Sequence, residues 1–129
     1  MLTALEVFAA IKSGELDPYE LLALFEAPPP QDLHNRSSLW PKVRAAWLNT
    51  HPLCAACGGN EFLQVHHKMP FHLEPDLELI PLNLITLCEK PSRNCHFVWG
   101  HLYNWKNYNS RIEECMNFWA DVRRGEAKR

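Results

Sequence analysis

Residues 63–71 read LQVHHKMPF and place two adjacent histidines, His66 and His67, at the end of a strand-like run. A Lys-Met-Pro turn follows them. Consecutive residues of a strand point to opposite faces of the sheet, so these two imidazoles cannot serve one surface together. The pattern predicts that the two side chains divide the work between them, or that one of them is incidental.

Two cysteine pairs flank this stretch. Cys54 and Cys57 lie in CAACGG, and Cys88 and Cys95 follow the histidines. A C-x-x-C before glycines lets two thiolates face one tetrahedral ion, and four thiolates fit a structural zinc site. Six residues separate the second pair, more than the usual two to four of a zinc knuckle. The alternative is that these are separate buried cysteines.

Two further segments, one ending at Cys88 and one beginning at Cys95, extend the pattern. They are LNLITLC at residues 82–88 and CHFVWGH at residues 95–101. In this order, CAACGG, LQVHHKMPF, LNLITLC and CHFVWGH resemble an HNH endonuclease, over residues 53–101. The resemblance implies a small ββα-metal core braced by a four-cysteine zinc.

The resemblance also implies roles for single residues. His66 would be a metal ligand and His67 the general base, while Asn83 would tie down the loop and orient that base. His96 would be the second ligand of the divalent ion. His101 is a candidate third ligand, but on a regular helix it lies about 140° around from His96, so this role needs a distortion at Gly100.

The expected fold class is α+β, with an N-terminal helical hairpin and helices flanking the core. Residues 1–33 read as an acidic helical appendage, with Asp17 as an N-cap before Pro18 and a stiff spacer at residues 28–30. Ser37 and Ser38 can cap a following helix that ends near His51. The nuclease domain would span 34–129, with its core at 53–101 and a C-terminal helix at about 105–125. On that helix Cys115 is expected in the apolar core.

Charge is unevenly distributed along the chain. Formal net charge is −2 over 129 residues, but residues 1–33 hold six acids and one base, and the rest is mildly basic. No run of apolar residues is long enough to span a membrane, and we expect a cytoplasmic protein. Residues 1–33 could support a homodimer or dock on a protein partner such as phage or restriction machinery.

Some basic residues are candidates for contact with nucleic acid. They are Lys68, Arg93, Lys106 and Arg111. The aromatic run from Phe97 to Tyr108 is better explained as packing around a zinc site than as a surface for stacking bases. His34, His51 and His72 are expected on the surface, with His72 a weak further candidate for a phosphate or metal contact.

Phosphodiester hydrolysis needs an activated water, a divalent ion and a base with a pKa near neutrality. The resemblance implies a metal-dependent DNA endonuclease with a structural Zn²⁺ and a catalytic Mg²⁺, Mn²⁺, Ni²⁺ or Zn²⁺, and the residue types fit this chemistry. The alternative is a non-catalytic zinc module that binds nucleic acid or protein. A zinc nucleobase deaminase is disfavoured, since its H-x-E signature is absent.

Overall fold

The computed structural model describes residues 4–25 and 36–125. It is a small domain of helices and one two-stranded sheet, compatible with the expected α+β class. The elements in chain order are α1 (Ala4–Ser13), α2 (Pro18–Leu22), α3 (Trp40–Thr50), β1 (Leu63–His67), β2 (Leu84–Cys88), a π-helical turn (His96–Gly100) and α4 (Ile112–Arg124). Single 3-10 turns at Pro75–Leu77 and Pro81–Asn83 lie between the strands.

The two strands are antiparallel. His66 is opposite Ile85, and His67 is opposite Leu84. The pair thus sits at the end of β1, as the sequence pattern predicted, with one imidazole on each face of the sheet. Both side chains are buried.

The first two helices pack into the main core. Phe8 of α1 meets Phe118 of α4 edge to face, and Tyr19 of α2 meets Trp119 in the same way. Asp17 caps α2 as predicted, accepting from the backbone N–H groups of Tyr19 and Glu20. The boundary expected at residue 33 and the proline spacer lie outside the described residues, but the helices before them share one core with α4.

Helix α3 covers the other side of the sheet. Trp40 forms a second, smaller apolar cluster with Val65 and Leu84. The prediction that serines cap this helix is wrong: the N-cap is Leu39, without a side-chain cap. Ser37 Oγ instead accepts from Leu39 N within the preceding turn.

The C-terminal helix begins later than predicted, at Ile112. Residues 104–111 form turns instead, with Asn107 N donating to Asn104 O, Asn109 N to Gly100 O and Arg111 N to Asn109 Oδ1. The predicted apolar face is confirmed, since Ile112, Cys115, Met116 and Trp119 are all buried. Among the described residues, no helix has the length and apolar character required to cross a membrane.

Candidate metal sites and the cleft beside the histidines

The four cysteines that the sequence singled out come together. One sulfur from each of Cys54, Cys57, Cys88 and Cys95 lies within 4.8 Å of the others. Cys57 Sγ and Cys88 Sγ are 3.7 Å apart. Sulfurs bound at about 2.3 Å around a tetrahedral zinc are separated by about 3.8 Å. The cluster therefore has the donor set and spacing to hold a metal ion such as zinc.

The backbone around the cysteines explains how both pairs close. Gly58 adopts a φ of 77°, and the N–H of Gly59 points at Cys57 Sγ at 3.4 Å. The long insertion before Cys95 folds back on itself, with Arg93 N and Asn94 N both donating to Lys90 O. The six-residue spacing is thus taken up by a turn and does not separate the thiols.

The four closely packed thiols shift one another's pKa values. Hydrogen bonds from Cys54 and Cys95 hold the pKa of Cys88 well below its usual range, and the Cys54 thiol raises that of Cys95. Contact with Cys95 lowers the pKa of Cys57 to about 6. A divalent cation would let all four sulfurs ionise, since a coordinating thiol is deprotonated outright.

Three histidines form a second cluster. His96 Nε2 is 3.1 Å from His66 Nδ1 and 3.2 Å from His101 Nε2. Nitrogens bound at about 2.1 Å to one ion lie about 3.0–3.4 Å apart for bond angles between 90° and 109°. The cluster could therefore hold one metal ion through these three nitrogens.

The outer hydrogen bonds of the cluster set the tautomers of two rings. His96 Nδ1 faces Glu89 Oε2 at 3.0 Å, and His101 Nδ1 faces Asn107 O at 2.7 Å. Both partners can only accept, so each Nδ1 carries the proton. The Nε2 atoms of the two rings then face each other at 3.2 Å. Histidines that bind a metal are commonly held in this way by a carboxylate or a carbonyl.

Burial disfavours the charged form of His66 and His101. Burial, with a contribution from His96, lowers the pKa of His101 to about 4 and holds the pKa of His66 well below its usual range. His66 Nε2 is also buried without a hydrogen-bond partner in the described parts of the chain. Three imidazoles that converge on one point can offer lone pairs to a cation.

The position of His101 depends on local backbone geometry. His96–Gly100 is π-helical, and the wider i→i+5 turn brings a residue five positions on back beside His96. Gly100 makes the approach possible, because a Cβ there would lie 3.1 Å from His66 Cε1 and 3.2 Å from His96 Cδ2. The distortion that a role for His101 required is therefore present.

His67 faces away from the cluster. Its Nε2 is 2.9 Å from the carbonyl oxygen of Glu78, which fixes the proton on that nitrogen and leaves Nδ1 unprotonated. The ring packs against Trp40, with centroids 4.5 Å apart. Burial lowers the pKa of His67, partly offset by the Glu78 carbonyl. His67 is thus a neutral imidazole with one accepting nitrogen.

Asn83 ties together the segment between the strands. Its Oδ1 accepts from Met69 N at 2.8 Å, and its Nδ2 donates to Met69 O and Leu77 O. Leu77 directly precedes Glu78, the residue whose carbonyl holds His67. The side chain therefore fixes the loop, and it acts on His67 through the loop without contacting the ring.

A polar cleft of about 260 Å³ joins these groups. The cleft is lined by His66, His67, His96 and His101. The adjacent histidines His66 and His67 therefore reach the same cleft from opposite faces of β1. His72 also lines it, whereas His51 is exposed and stacks on Trp47 away from the cleft.

The four basic residues proposed from sequence to contact nucleic acid do not all lie at the cleft. Lys106 lines the cleft. Lys68 pairs with Glu113 at 2.5 Å, and Arg111 pairs with Glu114 at 3.8 Å. Arg93 is half-buried, with its Nε unpartnered among the described residues. Most of the aromatic run packs inside, as expected, with Phe97, Trp99 and Tyr103 buried.

The sequence pattern missed several groups that shape the site. Arg36 places NH1 3.5 Å from His67 Nδ1, and nothing in its sequence context marks it. Glu89 follows Cys88 directly, and a carboxylate beside a ligand was a usable signal. Tyr19 brings its hydroxyl to 3.3 Å from Cys95 Sγ across most of the chain.

In comparisons with known proteins, no family model, no curated protein and no solved structure matches this chain.

Proposed function

We propose that this chain is a metal-dependent endonuclease of the HNH type that hydrolyses DNA phosphodiester bonds. The observation that carries the proposal is the cleft. It is shared by a three-histidine cluster and a separate histidine, His67, whose accepting nitrogen is set by a backbone carbonyl. A ligand set beside an independent base is the arrangement that metal-assisted hydrolysis needs.

The two clusters would have different roles. His66, His96 and His101 would hold a divalent ion beside the substrate, and the four cysteines would hold a structural zinc. When bound in the cleft, the ion would stabilise charge on the phosphate and on the leaving oxygen. The cysteine cluster is closed by its four thiols, which suits a structural site.

His67 would act as the general base. Its Nδ1 takes a proton from a water molecule, and the water oxygen forms a bond to phosphorus while the bond from phosphorus to the leaving oxygen breaks. The leaving oxygen keeps the electron pair of that bond and is later protonated by solvent. The Glu78 carbonyl accepts from Nε2–H and stabilises the imidazolium that forms.

The alternative is a zinc module without catalysis. Such a module needs the cysteines, but it has no use for histidines whose outer nitrogens are paired with Glu89 and Asn107. The three-histidine cluster therefore favours the enzyme.

Cleavage of supercoiled plasmid tests the proposal. Purified protein loaded with one zinc would be incubated with Mg²⁺, Mn²⁺, Ni²⁺ or no further metal, and its metal content measured. We expect nicked or linear plasmid only when a second, exchangeable ion is present. A zinc-loaded protein that is inert with every metal would contradict the enzyme and favour the module.

A further inference from the structure

Arg36 covers the accepting nitrogen of His67. Its NH1 is 3.5 Å from Nδ1, and its guanidinium lies 5.7 Å from the ring centre of Trp40 and 5.2 Å from that of Phe71. The unprotonated Nδ1 has a single lone pair, and the Arg36 N–H that faces it takes the place of a water that would donate its proton there. The guanidinium must therefore move before a water can reach His67.

The anionic partner of Arg36 is weakly engaged. Glu78 Oε2 is 4.0 Å from NH1, outside hydrogen-bond range, and both Glu78 oxygens accept from Ser37 N at 3.1 and 3.2 Å. The carboxylate is thus occupied by a backbone amide. Among the described residues, no carboxylate lies within hydrogen-bond distance of the guanidinium, so it has donors for an anion in the cleft, which it lines.

The chemistry of this group fits a phosphodiester. A guanidinium offers parallel N–H donors that match two phosphate oxygens, and such charge-assisted bonds are stronger than a bond to a neutral imidazole. Lys106 also lines the cleft and is positively charged, but it is exposed, and its ammonium group offers only a point charge. Arg36 is half-buried between two aromatic rings, so its position is better defined.

We propose that Arg36 is the phosphate-binding residue of the cleft and that an incoming phosphodiester draws its guanidinium off His67 Nδ1, an inference that rests on the proposed function. The base is covered until the substrate arrives. Binding of the phosphate thereby exposes His67 Nδ1, the atom that activates the water for attack on that phosphate.

Phosphate binding tests the first part without any cleavage. Inorganic phosphate would be titrated into the full-length, zinc-loaded protein and followed by NMR. Arg36→Met should weaken binding about tenfold or more, since a charge-assisted pair is lost. Arg44→Met is the matched control, because Arg44 is also half-buried but bonds Leu63 O and Gln64 Oε1 outside the cleft lining. Equal phosphate affinity in Arg36→Met and wild type would overturn the inference.

The ¹⁵N resonance of His67 Nδ1 tests the second part. Saturating phosphate should move this resonance in the wild type towards its position in phosphate-free Arg36→Met. A resonance that does not respond to bound phosphate would overturn the release of His67.

Cleavage kinetics separate this inference from the proposed function. In an active enzyme, Arg36→Lys should raise the KM for DNA several-fold, because lysine cannot form a bidentate contact with two phosphate oxygens. This variant also carries the test should Arg36→Met lose its zinc or its fold. Unchanged KM and phosphate affinity in Arg36→Lys would then overturn the role of Arg36. A wild type that binds phosphate through Arg36 but never cuts DNA would overturn the nuclease and leave the anion site standing.

Discussion

The Glu89 carboxylate holds His96 at Nδ1, 3.0 Å away, and thereby turns Nε2 of that ring towards His66 and His101. This one contact also links the two clusters along the chain, because Glu89 directly follows the cysteine Cys88. Such outer partners fix both the tautomer and the direction of a ligand ring.

Glu89→Gln should weaken metal binding at the histidine cluster by about 10- to 100-fold. The amide keeps the size of the side chain but loses the charge that holds the Nδ1 proton. Calorimetry with Ni²⁺ on zinc-loaded protein would measure the change. Glu61→Gln is the control, since Glu61 pairs with Lys90 at 3.8 Å on the surface. Similar Ni²⁺ affinity in both variants would mean that Glu89 does not orient His96.

Gly100→Ala should weaken binding at the histidine cluster and spare the cysteine cluster. A Cβ at this position falls within 3.2 Å of two ligand rings, closer than ordinary contact, so His66 or His96 must shift. Zinc content and Ni²⁺ binding would be measured on the same sample. Gly125→Ala strains a left-handed helix end where a Cβ meets nothing within 4 Å, and it should leave Ni²⁺ binding intact. Normal Ni²⁺ binding in Gly100→Ala would contradict the close approach at the π-helical turn.

Tyr19→Phe should lower the zinc affinity of the cysteine cluster by about tenfold or more. Trp99 Nε1 donates to the Tyr19 oxygen, and the Tyr19 hydroxyl, 3.3 Å from Cys95 Sγ, would donate to that sulfur when it is a zinc-bound thiolate. Burial raises the pKa of Tyr19, so the hydroxyl stays protonated. The affinity would be read by competition with a chelator.

Tyr103→Phe provides the matched comparison for that measurement. Tyr103 OH also reaches helix α2, donating to Pro18 O at 2.6 Å, but its hydrogen bond is to a carbonyl and not to a sulfur. If both phenylalanine variants lose zinc equally, docking of α2 and not the bond to Cys95 would be responsible.

The parts of the site that lie within one element were predictable from the sequence. Alternation along β1 separated His66 from His67, and glycines after Cys57 indicated a tight metal-binding turn. The contribution of His101 was not predictable from spacing, since it depends on a π-helical turn that a regular helix would not form. The contacts of Arg36 with His67 and of Tyr19 with Cys95 join distant segments, and local sequence patterns do not record them.

The fold was predictable to a similar extent. Apolar spacing indicated the face of α4, and Asp17 before Pro18 marked the start of α2. The acidic charge of residues 1–33 suggested an appendage, but the apolar side chains of α1 and α2 pack against α4 in the main core. Net charge describes the solvent-facing side of a helix and says little about where its apolar side is buried.

Single-turnover cleavage of supercoiled plasmid by His67→Ala, compared with wild type and with His51→Ala, tests the central claim most directly. His51 is exposed and outside the cleft lining, so its variant controls for loss of a histidine as such. We expect wild type and His51→Ala to cut at similar metal-dependent rates. His67→Ala, folded and with both metal sites loaded, should be slower by about 10²-fold or more. Equal cleavage by His67→Ala, or none by the wild type with any metal, would contradict the role of His67 as the base of a nuclease.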